Sequence, residues 1–133
     1  METIFVDTSA WYAIFDTDDS NHLSAVSQKD KIAFPLVTTN FVIDETITLI
    51  TKNLGAHTAY KIGNELLTEH FAKIVRISLE DEKEALEIIR KYSDKKFGFT
   101  DCTSFVIMEK SNIKTAFSFD IHFKQYGKFT IIP

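Results

Sequence analysis

The chain is poor in the residues that secreted, membrane-spanning and zinc-binding proteins need. Cys102 is its one cysteine, so no internal disulfide framework is available. Its four histidines, His22, His57, His70 and His122, are scattered, with no His-Glu-x-x-His run and no close His/Cys pair, which argues against a zinc site. No apolar run approaches the roughly 20 residues that cross a bilayer. The N-terminus, Met1-Glu2-Thr3-Ile4, lacks the basic region and cleavage site of a secretory signal. Together these absences favour a cytoplasmic chain with no membrane partner. Only four Gly and two Pro punctuate it, so helices are expected to dominate. No stretch reads as a linker, repeat or low-complexity tract. The absence of Gly-x-Ser-x-Gly, P-loop and Gly-x-Gly-x-x-Gly patterns removes the usual hydrolase and nucleotide-binding readings. A net charge of −4 counts against a simple nucleic-acid coat. It leaves room for a nuclease, because acids gathered in a metal site lower the net charge.

What is present suits a globular domain. Hydrophobic content of 44% and charged content of 26% are ordinary. The 133 residues suggest one domain over 1–133, able to bury about two-thirds of its unfolded surface. Twelve Phe against four Tyr and one Trp point to an aromatic core. Strands are expected over 3–6, 35–38, 72–77, 115–119 and 129–132. Helices are expected over about 8–15, 21–29, 41–52, 56–69, 79–92, 101–110 and 122–126. Thr8 or Ser9 is a candidate cap for the first, Asn40 for the third, and Thr100 for the sixth. Ser78 with Asp81 forms a capping-box pattern. Leu79, Ala85, Leu86, Ile89 and Tyr92 keep helical spacing and are expected to face the core. Strands alternating with helices predict an α/β fold: a mostly parallel sheet between two helical layers, with right-handed crossovers.

Four acids stand at the ends of apolar runs. Asp7 closes Ile4-Phe5-Val6, and Asp120 closes Ala116-Phe117-Ser118-Phe119. Asp101 opens a helix behind Thr100. Glu45 follows Phe41, Val42 and Ile43 and precedes Ile47, near that helix's apolar face. Singly, each has a plain structural explanation as a cap, a dipole partner, a turn residue or a solvated group. Jointly they are predicted on one rim, because strands end where helices begin and ligands bind there. Two like charges about 4 Å apart repel by roughly 4 kcal/mol at an effective dielectric near 20. A domain's whole stability is about 5–15 kcal/mol. The repulsion is relieved by raised pKa values or by a bound divalent cation. Hard oxygen ligands with few histidines point to Mg²⁺ or Mn²⁺. Asp44 points about 100° away from Glu45 and reads as solvated. Asp16, Asp18 and Asp19 do not make a calcium loop, since Asn21 and Ser27 occupy the positions that need Gly and Glu. His122 reads as a surface residue or, two positions past Asp120, as one able to approach substrate, and Cys102 reads as a small core residue.

The acid-bearing segments resemble the PIN-domain nucleases, particularly VapC-type toxins of prokaryotic toxin–antitoxin pairs. They are Val6-Asp7-Thr8-Ser9-Ala10, Thr39-Asn40-Phe41-Val42-Ile43-Asp44-Glu45, Phe99-Thr100-Asp101-Cys102-Thr103-Ser104-Phe105 and Ala116-Phe117-Ser118-Phe119-Asp120-Ile121-His122-Phe123. Their order and approximate spacing hold over nearly the whole chain. The resemblance implies a three-layer α/β/α PIN-like domain and a metal-dependent endoribonuclease using Mg²⁺ or Mn²⁺. It maps the acidic site onto Asp7, Glu45, Asp101 and Asp120. The supporting Ser/Thr falls on Thr8 or Ser9, and Asp94 matches an acid often seen before the third motif. Ser118 stands where Thr is frequent and keeps the hydroxyl. An RNA substrate, a homodimer and a small antitoxin partner are likewise implied. The alternative is a catalytically silent PIN-like module that binds RNA or protein. A phospho-receiver fits poorly, because Ile77 is followed by Ser78 and Ile132 by Pro133. A haloacid-dehalogenase-like phosphatase fails on Asp7-Thr8-Ser9, where Asp-x-Asp is needed.

Overall fold

The structure, a computed structural model, describes residues 2–133. The strands are short and apolar: β1 (Ile4–Val6), β2 (Leu36–Thr39), β3 (Lys73–Val75), β4 (Thr115–Phe117) and β5 (Thr130–Ile132). They form one sheet in the order β3-β2-β1-β4-β5, and every neighbouring pair is parallel. The chain builds outward from β1 to β3, then returns to the other side of β1 with β4. The topological switch point therefore lies between β1 and β4, where ligands bind open α/β sheets.

The helices fill the crossovers. α1 (Thr8–Phe15) and α2 (His22–Lys31) join β1 to β2, and α3 (Asn40–Leu54) and α4 (Ala56–Leu67) join β2 to β3. α5 (Leu79–Lys91) and α6 (Phe99–Lys110) return to β4, and α7 (Ile121–Tyr126) leads to β5. α1 packs on α2 and α3, α3 on α4, and α5 on α6. Right-handed crossovers set the two groups on opposite faces of the sheet. α3 and α6 also touch each other, which brings Glu45 and Asp101 into one neighbourhood.

The core explains the Phe content. Phe5, Phe105, Phe117, Phe123 and Trp11 are fully buried. Phe105 stacks on Tyr126 at 4.2 Å between ring centroids. All eight residues from Asp101 to Met108 are buried. An all-round buried helix has no solvent face, so α6 shows little amphipathic periodicity.

Four details depart from the sequence expectations. The cap of α1 is Asp7 rather than Thr8 or Ser9, and the cap of α3 is Thr39 rather than Asn40. Asn40 instead accepts the Ile77 N–H through Oδ1, tying α3 to the chain beyond β3. α6 begins at Phe99, after Gly98, so Thr100 lies inside it and does not cap it. Leu79 and Leu86 are 65% and 56% exposed, because α5 rests on α6 through Ala85 and Ile88 and nothing covers its outer side. The Ser78–Asp81 capping box is present as expected, with both reciprocal bonds formed. Glycine closes α3, where Gly55 holds φ at +93°.

Candidate metal centre

The site is built on the ends of β1 and β4. The Asp7 N–H donates to Phe117 O at 3.1 Å, holding the two strand ends together across the switch point. Asp7 Oδ2 accepts from Ser9 Oγ at 2.9 Å and from Ser118 Oγ at 3.0 Å. The same hydroxyl oxygens accept backbone N–H groups: Ser9 Oγ from Phe119, and Ser118 Oγ from Asp120. Each hydroxyl can donate to Asp7 while accepting one N–H from the chain after β4, and the two hydroxyl oxygens lie 3.3 Å apart. Two serines therefore fix Asp7 and position Asp120 in one network. Of the two hydroxyl residues after Asp7, Ser9 joins it; Thr8 is buried with Oγ1 unpartnered.

The other acids arrive from three helices. Asp101 sits in the first turn of α6 and is 8% exposed. Asp120 caps α7, its Oδ1 accepting the His122 N–H at 2.9 Å. His122 Nδ1 lies 2.9 Å from Asp101 Oδ2 and 3.6 Å from Asp120 Oδ1. Ligand atoms of Asp101, Asp120 and His122 all stand within 4.8 Å of one another. Glu45, on α3, is exposed rather than set on the apolar face. That face is taken by Val42, Ile43, Thr46 and Ile50. Glu45 is nevertheless near enough to raise the Asp101 pKa.

The electrostatics are those of crowded acids. Burial, then the neighbouring Asp101 and Asp120 charges, push Asp7 up to about 7, against the bond from Ser9. Burial likewise pushes Asp101 up to about 6, with Asp120 and Glu45 adding and His122 opposing. Asp7 Oδ1 is buried and has no partner among the described residues. A buried carboxylate oxygen without a donor is costly. A cation at this position would satisfy it. Asp101, Asp120 and His122 stand close enough to share one divalent metal, and Asp7 and Glu45 are near enough to be coupled to Asp101 by charge, so the donors present fit such an ion.

His122, expected at the surface or near substrate, stands partly exposed against both Asp101 and Asp120. Its position two residues after a capping Asp, in the same first turn, was the available signal. Asp94 lies outside the cluster: its side chain is 77% exposed and pairs with Lys95 at 3.7 Å. Cys102 is buried, its thiol pushed up to about 12 by burial and then by Asp101, and it serves as packing.

The profile of the PIN domain matches residues 4–129, and the chain belongs to that family. It is 29% identical over 130 residues to the 23S rRNA-specific endonuclease VapC20 of Mycobacterium tuberculosis, covering 98% of each chain. Ribonuclease VapC26 of the same organism is 26% identical, with 98% of this chain and 100% of that protein covered. The crystal structure of VapC20, described as a sarcin-ricin loop cleaving toxin, superposes with a TM-score of 0.91 at 28% identity, covering 98% of this chain and 99% of that one. The crystal structure of FitAcB from Neisseria gonorrhoeae contains the same fold, with a TM-score of 0.73 at 12% identity over 98% of this chain and 96% of that one.

Proposed function

We propose that this protein is a metal-dependent endoribonuclease, the toxin of a VapC-type toxin–antitoxin pair, acting in the cytoplasm. The observation that carries the reading is the meeting of Asp7, Asp101 and Asp120 at the β1/β4 switch point, with Asp7 Oδ1 buried and unpartnered. Two relatives named as ribonucleases, matched over nearly their full length, support RNA as the substrate. The large-subunit rRNA named for one of them is the first target to assay.

Asp7, Asp101 and Asp120 hold Mg²⁺ or Mn²⁺, and Glu45, at the exposed mouth, holds a further ligand position or the attacking water. When bound, such an ion supplies an activated water near neutral pH and positive charge for the phosphoryl oxygens. Ser9 and Ser118 keep Asp7 and Asp120 in register through four hydrogen bonds, two of them local and two crossing between the strand ends. A phosphodiester is anionic, so the uncompensated acids repel it and admit it only once neutralised.

The same reading includes a small antitoxin and a homodimer. A neighbour of this fold described as a toxin–antitoxin complex, and two described as DNA-bound VapBC, favour the antitoxin. An apolar groove between α3 and α4, lined by Ile47, Ala59, Tyr60 and Leu67, offers surface for protein contact.

Purified protein incubated with rRNA and Mn²⁺ should cut it, and excess chelator should stop the cutting. Sequencing the RNA ends beside an Asp101→Asn control should find discrete cleavage sites present only with the unsubstituted protein. RNA that is bound but left whole under these conditions favours a silent binding module instead.

A further inference from the structure

His122 is the one nitrogen donor among the clustered acids. Adjacent donors on one six-coordinate ion, each about 2.1 Å from it, stand roughly 3 Å apart. The 2.9 Å between His122 Nδ1 and Asp101 Oδ2 matches that spacing, and the 3.6 Å to Asp120 Oδ1 needs only a small adjustment. The ring is held from two sides. Phe97 meets it edge-on at 5.4 Å between centroids. The residue's own backbone N–H is bonded to Asp120 Oδ1, which fixes that carboxylate beside the ring. Independently, Asp7, coupled by charge to Asp101 and Asp120, has a buried Oδ1 with no partner among the described residues, which a cation would satisfy.

We propose that His122 Nδ1 is a direct ligand of the site's cation, alongside Asp101 and Asp120, and that it biases the site from Mg²⁺ toward first-row transition ions. The inference rests on the reading of the site as a divalent-metal centre. Mg²⁺ keeps oxygen ligands and water, whereas imidazole suits transition ions, so one nitrogen in an oxygen set shifts the preference. An imidazole that binds an ion through Nδ1 carries its hydrogen on Nε2. Asp101 then exchanges its contact with His122 for one with the metal.

Pulsed electron paramagnetic resonance on the Mn²⁺-loaded protein tests this without any turnover. A directly bound imidazole should give nitrogen modulation of the manganese echo that changes when histidine is labelled with ¹⁵N. The modulation should vanish in His122→Ala. Competition binding should show the Mn²⁺/Mg²⁺ preference falling in that variant, because imidazole favours transition ions over Mg²⁺. If His122→Ala fails to fold, the labelled unsubstituted protein decides alone. Manganese bound without nitrogen modulation, or an unchanged preference, makes His122 only a hydrogen-bonding neighbour and overturns the inference while leaving the metal site standing. Failure of the unsubstituted protein to bind Mn²⁺ at all overturns both.

Discussion

At Asp7 one side chain serves two ends. It caps α1 and fixes β1 to the chain after β4, yet it is buried as a carboxylate with one oxygen unpartnered. Its pKa of about 7, set first by burial and then by Asp101 and Asp120, makes the metal-free fold sensitive to pH. The folded protein holds the Asp7 proton more tightly than the unfolded chain does. The penalty is therefore absent below about pH 4, grows as pH rises toward 7, and is complete above it. Asp101, raised to about 6, acts in the same direction over a narrower window. Metal-free protein should be more stable at pH 5.5 than at pH 7.5, by about 2 kcal/mol from Asp7 alone. Urea denaturation at the two pH values checks this. Asp7→Asn should flatten that slope, raise the metal-free Tm at pH 7.5 and abolish metal-dependent RNA cleavage. A Tm lowered by many degrees would mark Asp7 as a structural acid first.

Helices α5 and α6 are joined by a contact remote from the metal centre. Asp81 closes the capping box of α5, its Oδ2 accepting the Ser78 N–H, and its Oδ1 accepts from Lys110 Nζ at 2.6 Å in the last turn of α6. Burial alone would raise the Asp81 pKa, but Lys110 and Ser78 outweigh it and hold it below the ordinary carboxylate value. With its folded pKa depressed, Asp81 stabilises the fold above the unfolded pKa. That stability is lost as pH falls through the folded value, under about pH 4. Ser78→Ala should cost about 1 kcal/mol by removing the cap. Asp81→Ala should cost about 2–3 kcal/mol, because it removes the cap's partner and a charge-assisted bond together. Thermal or chemical unfolding measures both, and neither variant should alter metal affinity. The sequence displayed this box because its signal is local, three residues apart. It displayed Asp7 and Asp120 because strand ends and caps are local as well. Leu79 and Leu86 were misread because helical spacing defines a face without saying whether another element covers it. Glu45 was set too deep for the same reason. The nearness of His122 to Asp120 was local and legible, but its contact with Asp101, twenty-one residues away, was not, because only the return of β4 beside β1 brings them together.

Over the whole molecule, the β3-β2-β1-β4-β5 order converts acids distant in the chain into neighbours. Family membership was legible because four short segments carry those acids in order, while the depth of the pocket was set by tertiary packing. No helix among the described residues is long and apolar enough to cross a membrane. Burying the acids lowers the stability of the metal-free fold, and a cation that binds only the folded state restores it. At a free concentration one hundred times its Kd, Mn²⁺ should add about 2.7 kcal/mol to the unfolding free energy. The accompanying rise in Tm should be absent in Asp7→Asn. Because Asp7 and Asp101 hold protons near neutral pH, uptake of the ion should also release them. Isothermal titration of Mn²⁺ at pH 6.5, repeated in buffers of different ionisation enthalpy, reads binding and proton release together. Saturable uptake with on the order of one proton released per ion, lost in Asp7→Asn, is the outcome expected of acids that share one cation. Heat without saturation, or the same saturable binding after Asp7→Asn, would show that these acids meet for some other purpose.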